Sequence, residues 1–267
     1  SESQYINLGG IYSSDLVLDG IVPYKIKSKI QIAYGAYFEI KPGVKIVGGG
    51  DIEVYGTLLV NGSEDSKVIF ENVNIVGGSN TIQEPYVIDI NYASFLDGSI
   101  LKPTGNATYG SISLRNSILS NLNDYMYVWY PVDDSVIEKN TFINCQKISI
   151  GTNNSVKVKI LNNLFVRANL AYDVNNTTLI ENWASYGDSE TIVNYNSFYV
   201  DEFYVMRLPS GYNSAEINGV NNYWNTAEKE IIENLIFDKN DDLSSAGYIP
   251  FEPFLNEPNP STPVKDF

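Results

Sequence analysis

An asparagine followed two positions later by a large apolar residue recurs along the middle of the chain. The copies are Asn116-Ser-Ile118, Asn140-Thr-Phe142, Asn163-Leu-Phe165, Asn196-Ser-Phe198 and Asn222-Tyr-Trp224. Ala93-Ser-Phe95 fits one step earlier, with Ala in the Asn place. The successive spacings are 23, 24, 23, 33 and 26 residues. A β-type run precedes most copies: SISLRNSI, SVIEKNTF, VKVKILNNLF, TIVNYNSF and EINGVNNYW. A period near 23 with one insertion of about ten suits a coil stacked on copies of itself. Stacking places equivalent side chains one strand spacing apart, about 4.8 Å. Asn amides at that separation can bond up and down the stack and satisfy the turn backbone. The Ile/Phe/Trp column beside them would then stack as core. The competing explanation is that Asn is simply common in turns. The period predicts an all-β chain, a parallel β-helix of about eight to ten coils.

Strand signals also fill the N-terminal part: KIKSKIQI, YFEIKPGVKIV, DIEVYGTLLV and KVIFENV. Helix signals are scarce before residue 226. There Asn225-Thr226 offers an N-cap, and acidic residues follow in the first turn, as the helix dipole prefers. Ile231, Ile232, Leu235 and Ile236 recur on one helical face. The expectation is an amphipathic helix over 226–237 that caps the coil stack, because open ends expose strand edges. One domain is expected over residues 1–256. Residues 257–263, EPNPSTP, open a Pro-rich linker or tail over 257–267 that points to neighbouring domains of the same polypeptide.

The N-terminal run IKPGVKIVGGG, IEVYGTLLVNG and VIF resembles the opening coils of right-handed parallel β-helix repeat proteins of the pectate-lyase-like superfamily. The C-terminal run NNYWNT, a helix, IFDKNDD and PFL is similar to their closing segment, with Asn225 where Gly is usual. The resemblance implies the β-helix fold and a bacterial secreted or cell-surface module, often within a longer chain. It does not imply one activity, since this fold hosts many.

Charge and missing residue types narrow the chemistry. The formal net charge is -15, which repels nucleic acid and anionic membrane surfaces. Only three arginines occur, Arg115, Arg167 and Arg207, and no run of about 18 apolar residues predicts membrane insertion. The chain has no histidine, so Ser-His-Asp triads, Cys-His pairs and His-ligated zinc drop out. The single cysteine, Cys145, reads as a small buried residue. The resemblance implies lyases that use calcium-bound carboxylates with Arg or Lys, and hydrolases that use Asp groups. Neither set of motifs appears, and no catalytic residue is assigned. Asp133, Asp134, Asp173, Asp188, Glu190, Asp201 and Glu202 share no coil register, and scattered acids usually serve solubility.

Two segments remain as site candidates. In NDYMYVWYPVDD, strand alternation puts Tyr125, Tyr127 and Trp129 on one face and Met126, Val128 and Tyr130 on the other. Met126 and Val128 match Ile148 and Ile150 of the next coil and are placed inside. Tyr125, Tyr127 and Trp129 would form an exposed flat strip flanked by Asp133, suited to sugar rings or protein partners. In DKNDD, Asp238, Asn240 and Asp242 place oxygen ligands at positions one, three and five, the start of a calcium loop. Leu243 and Ile249 stand where an EF-hand needs Gly and Glu, so only a partial site is indicated. A structural calcium ion is the one cofactor this pattern suggests, against a metal-free Asp/Asn turn.

The function expected is a non-catalytic extracellular module, an adhesin or carbohydrate-recognition domain, with a glycan or cell-surface partner. A polysaccharide lyase or glycoside hydrolase on the same fold is the alternative. A structural spacer or filament subunit is the third reading.

Overall fold

The structure, a computed structural model, describes residues 4–79, 81–151, 156–167, 178–185, 187–200 and 204–267. Among them the elements are strands apart from one helix, Lys229–Asn234. The strands form a 12-stranded, a 9-stranded and a 5-stranded sheet, and the paired strands run parallel. Each turn of chain gives a strand to one face after another, so the molecule is a β-solenoid of stacked turns.

The stacking follows from side-chain alternation. Thr57–Asn61 (TLLVN) buries Leu58 and Val60 and turns Thr57, Leu59 and Asn61 outward. In register, Ile40, Val60, Ile90, Leu114, Ile137, Ile160 and Val193 lie above one another in the core. Each is essentially inaccessible to solvent. One long strand, Tyr24–Ile32, bends round a corner. It pairs with Lys45–Gly48 on one side of the bend and with Asp51–Val54 on the other. It thereby joins two of the three faces.

The asparagine ladder is present, with one rung displaced. Asn163 Oδ1 accepts the backbone N–H and the side-chain Nδ2 of Asn140, both at 3.0 Å. Asn196 does the same for Asn163, at 2.8 and 3.0 Å, and Asn222 for Asn196, at 2.9 and 3.1 Å. Each rung amide also donates inward, to the carbonyls of Leu114, Ile137, Ile160 and Val193 in turn. All four asparagines are fully buried. The rung below Asn140 is Ser117, not Asn116. Asn140 Oδ1 accepts from the Ser117 amide at 3.0 Å, and Ser117 Oγ accepts from the Ala93 amide at 3.1 Å. Asn116 sits at the corner with φ 51°. Tyr92, Lys139, Asn162, Tyr195 and Asn221 take the same left-handed corner before their own rungs. Asn tolerates that conformation better than most residues, and a hydroxyl can replace the amide as the rung acceptor. The core column two residues past each rung stacks its rings. Phe70 and Phe95 lie 4.6 Å apart, Phe142 and Phe165 4.8 Å, and Phe165 and Phe198 5.5 Å, with interplanar angles of 10°, 12° and 18°.

The closing helix is shorter than its sequence pattern predicts. Thr226 Oγ1 accepts from the Glu228 amide, but helical geometry begins only at Lys229 and ends at Asn234. Ile236–Phe237 then pairs as a strand with Met206 and Arg207. Parallel pairing with the preceding turn overrides helical periodicity, since a short helix gains little from propensity alone. Ile232 is the residue the helix buries. Beyond it, Pro250 and Pro253 carbonyls accept from Gly219 and Asn221 amides, and the Leu255 amide donates to Asn222 O. The Pro-rich tail lies back along the flank. Thr262 Oγ1 donates to Tyr195 O at 2.5 Å, and Asn162 Nδ2 donates to Asn259 Oδ1 at 3.2 Å. Thr262 is buried by this contact.

Candidate functional site

The third face carries the aromatic segment. Met126–Trp129 pairs in register with Ile148–Gly151, which sets Met126 on Ile148 and Val128 on Ile150 inside the core. Tyr127 and Trp129 point outward with ring centroids 4.5 Å apart. The Trp129 indole lies face-down on Gly151. A Cβ there would stand 2.9, 3.1 and 3.2 Å from Cδ2, Cε2 and Cε3, so only glycine leaves room for the ring. Tyr130 departs from strand alternation. With φ 52° it ends the strand and swings to the same side as Trp129, 6.1 Å away and nearly perpendicular.

These rings do not form a flat exposed strip. Tyr125, Tyr127 and Trp129 are half-buried, and residues 102–108 cross over Tyr127 and Trp129. The result is a pocket of 320 Å³ walled by Tyr127, Trp129 and Tyr130 on the sheet side and by Thr104, Asn106 and Thr108 on the loop side. The loop is pinned at both ends. Lys102 Nζ meets Asp51 Oδ1 at 3.2 Å, and Asp51 also accepts from Asn74 Nδ2 at 2.9 Å. At the far end Thr108 and the Tyr86 hydroxyl are hydrogen-bonded, the Tyr109 amide donates to Ser79 O, and Tyr109 packs on Tyr130. Burial pushes the Tyr86 phenol well above its ordinary value, so it stays protonated.

Beside the pocket lies a charge cluster built on a buried carboxylate. Glu181 is fully buried, with Lys147 Nζ at 2.7 Å and Arg207 Nη1 at 3.7 Å. Its oxygens have no aligned hydrogen bond, so charge rather than hydrogen-bond geometry holds it. The cations are in turn covered by rings. Lys147 Nζ lies 4.4 Å from the Tyr125 centroid, and Arg207 lies 5.9 Å from Trp183 and 5.4 Å from Phe237. Burial first, then the negative charge of Glu181, pushes the Tyr127 phenol up. Tyr125 is thus part of the lid on Lys147, while Tyr127 and Trp129 face the pocket.

The other predicted residues fall elsewhere. Asp133 is exposed and does not line the pocket. Asp134 caps the Lys157 amide at 2.9 Å and meets Lys159 at 3.1 Å, and the amide contact holds its carboxyl below the usual range. Glu190 pairs with Lys157 at 3.2 Å. Asp173, Asp201 and Glu202 lie outside the described residues. Cys145 is buried, with its thiol pushed up to about 11 by that burial. Arg167 is also buried, and donates to Cys145 O and Thr178 O.

The DKNDD loop closes on its own donors. Asp238 Oδ1 accepts from the Asn240 amide at 2.9 Å, and Oδ2 from the Ile249 amide at 2.8 Å. Asp242 Oδ1 accepts from the Ser244 amide and hydroxyl, and Oδ2 from the Ser210 hydroxyl. The Ser210 bond, followed by those from Ser244, holds the Asp242 carboxyl at about 2. Among the described residues no three His, Cys, Asp or Glu side chains converge as metal ligands.

The residues that sequence reasoning missed are Lys102, Lys147, Glu181 and Arg207. Lys102 meets a partner 51 positions away. The Lys147–Glu181 pair reaches across the repeat that is stretched to 33 residues. Neither pairing leaves a local pattern. Comparison with known proteins gives no match, whether to family models, curated proteins or solved structures.

Proposed function

We propose that the third face binds glycans, as the recognition surface of a non-catalytic module carried by a larger secreted or cell-surface protein. The observation that carries this reading is the pocket: two aromatic rings laid along a rigid sheet, a third closing the end, and a polar loop opposite them. Aromatic faces receive the C–H faces of sugar rings, while Thr and Asn side chains meet hydroxyls. The non-catalytic part is supported by the pocket wall. None of the described residues lining it is Asp or Glu, whereas glycoside hydrolysis needs two carboxylates across the scissile bond. The extracellular setting rests on the sequence resemblance and on the acidic surface, which suits a soluble exposed module.

Glycan-array binding by wild type and Trp129→Ala tests this reading. The expected outcome is a defined set of bound glycans whose signal falls at least about tenfold in the variant, a loss of about 1.4 kcal/mol. Equal binding by both proteins removes the site. Product release from any polysaccharide on incubation would favour the enzyme reading instead.

A further inference from the structure

The pocket's charge state says what kind of sugar it takes. Lys102 is the one charged side chain among the described residues that line it, and its ammonium is already paired with Asp51 at 3.2 Å. The neighbouring cations are engaged as well. Lys147 and Arg207 share Glu181 and lie under Tyr125, Trp183 and Phe237. An anionic ligand would meet no unpaired cation in the wall, and would approach a chain of net charge -15. A cationic ligand would find no carboxylate there. What faces the ligand is uncharged: the rings of Tyr127, Trp129 and Tyr130, and the side chains of Thr104 and Asn106. Burying a charge against such a wall without a partner is costly, while neutral hydroxyls can be matched by neutral donors and acceptors.

Size gives the second constraint. At 320 Å³ the pocket stands at the lower limit of small-molecule sites, roughly 300–1,000 Å³. The loop that walls it is fixed by the Lys102–Asp51 pair at one end and by the Thr108–Tyr86 bond and Tyr109 at the other. The space is therefore preformed and suits one ring rather than a run of them.

We infer that this pocket holds a single uncharged sugar ring, the terminal unit or side branch of a neutral glycan, with its C–H face on Trp129 and its hydroxyls toward Thr104 and Asn106. The inference rests on the glycan-binding reading and narrows it to neutral, end-on recognition.

Titration calorimetry of the whole chain against matched ligands tests it. The panel is glucose, galactose, mannose and N-acetylglucosamine, the uronic acids of the first three, and linear neutral oligosaccharides of increasing length. The expected result is binding of at least one neutral monosaccharide, with its uronic acid weaker by about tenfold or more and a gain below about threefold on lengthening the chain. Trp129→Phe keeps a ring on Gly151, so it should fold normally and still weaken the neutral sugar several-fold; Asn106→Ala, on the loop, should weaken it without touching the sheet. A uronic acid bound as well as its neutral parent overturns the inference. So does affinity that climbs with every added unit. Either result leaves glycan binding intact. Absence of binding to every member of the panel and to the array removes both readings together.

Discussion

A rung asparagine uses its whole hydrogen-bonding capacity. Asn163 accepts two bonds from Asn140 and donates to Ile137 O and Asn196 Oδ1. Asn163→Ala strands two donors of Asn140 inside the core, and each stranded group costs about 1–3 kcal/mol. Urea unfolding should show that loss at unchanged slope, and a change within error would mean that water replaces the rung. At the surface, Asp242 makes a pH prediction. Its carboxyl is held at about 2, below the ordinary 3.8, by Ser210 and Ser244. A depressed carboxyl stabilises the fold fully above its unfolded value, and the contribution is lost as pH falls through the folded value. Asp242→Asn should therefore lower the melting temperature slightly at neutral pH, converge on wild type near pH 2, and so flatten part of the fall between about pH 4 and pH 2. The group lies at the surface, so the effect is small. An identical acid limb in wild type and variant would remove this account.

At the scale of elements, the Trp129–Gly151 contact joins two adjacent strands through one ring. Gly151→Ala places a methyl group 2.9 Å from the indole. The ring must lift or the strands must part, at about 1–3 kcal/mol. The variant should melt lower and should also lose glycan signal, because the displaced ring closes the pocket. Melting loss with intact binding would place the ligand elsewhere. These elements also show how far sequence alone reaches. The stacked strands were legible because alternation and the 23-residue period are local signals, and Met126 and Val128 were placed correctly by their match to Ile148 and Ile150. The asparagine spacing points to Asn116, one residue before the true rung at Ser117. Asn116 has the expected side chain, but the corner claims it. The apolar pattern overextends the helix because Ile236 obeys both the helical pattern and the strand pairing that in fact holds it. The half-buried state of Tyr127 and Trp129 depends on a loop anchored to Asp51, Ser79 and Tyr86, and no periodicity encodes those contacts.

At the scale of the molecule, a solenoid distributes its stability over contacts between neighbouring turns. Its two ends differ. Toward the C-terminus, Ile232 and the 249–255 segment close over the last turns, whereas Ile6, Ile11, Val17 and Ile21 of the first turn remain exposed. The tail bridges the corners at Asn162 and Tyr195, which belong to successive turns. Truncation after Pro258 should lower the melting temperature by a few degrees, roughly the effect of 1 kcal/mol in a chain of this size. Hydrogen exchange should quicken at those two corners and stay unchanged near the first turn. Uniform quickening along the stack would show that the tail acts on the fold as a whole.

The folded-back tail has a mechanical meaning. A load applied at Phe267 reaches the flank of the stack before its end, because Thr262 is fastened to Tyr195 and Asn259 to Asn162. Those few bonds must break first, and breaking them frees slack without opening a single turn. The tail should thus act as a short mechanical fuse, yielding under tension while the rungs and the aromatic pocket beyond them keep their shape.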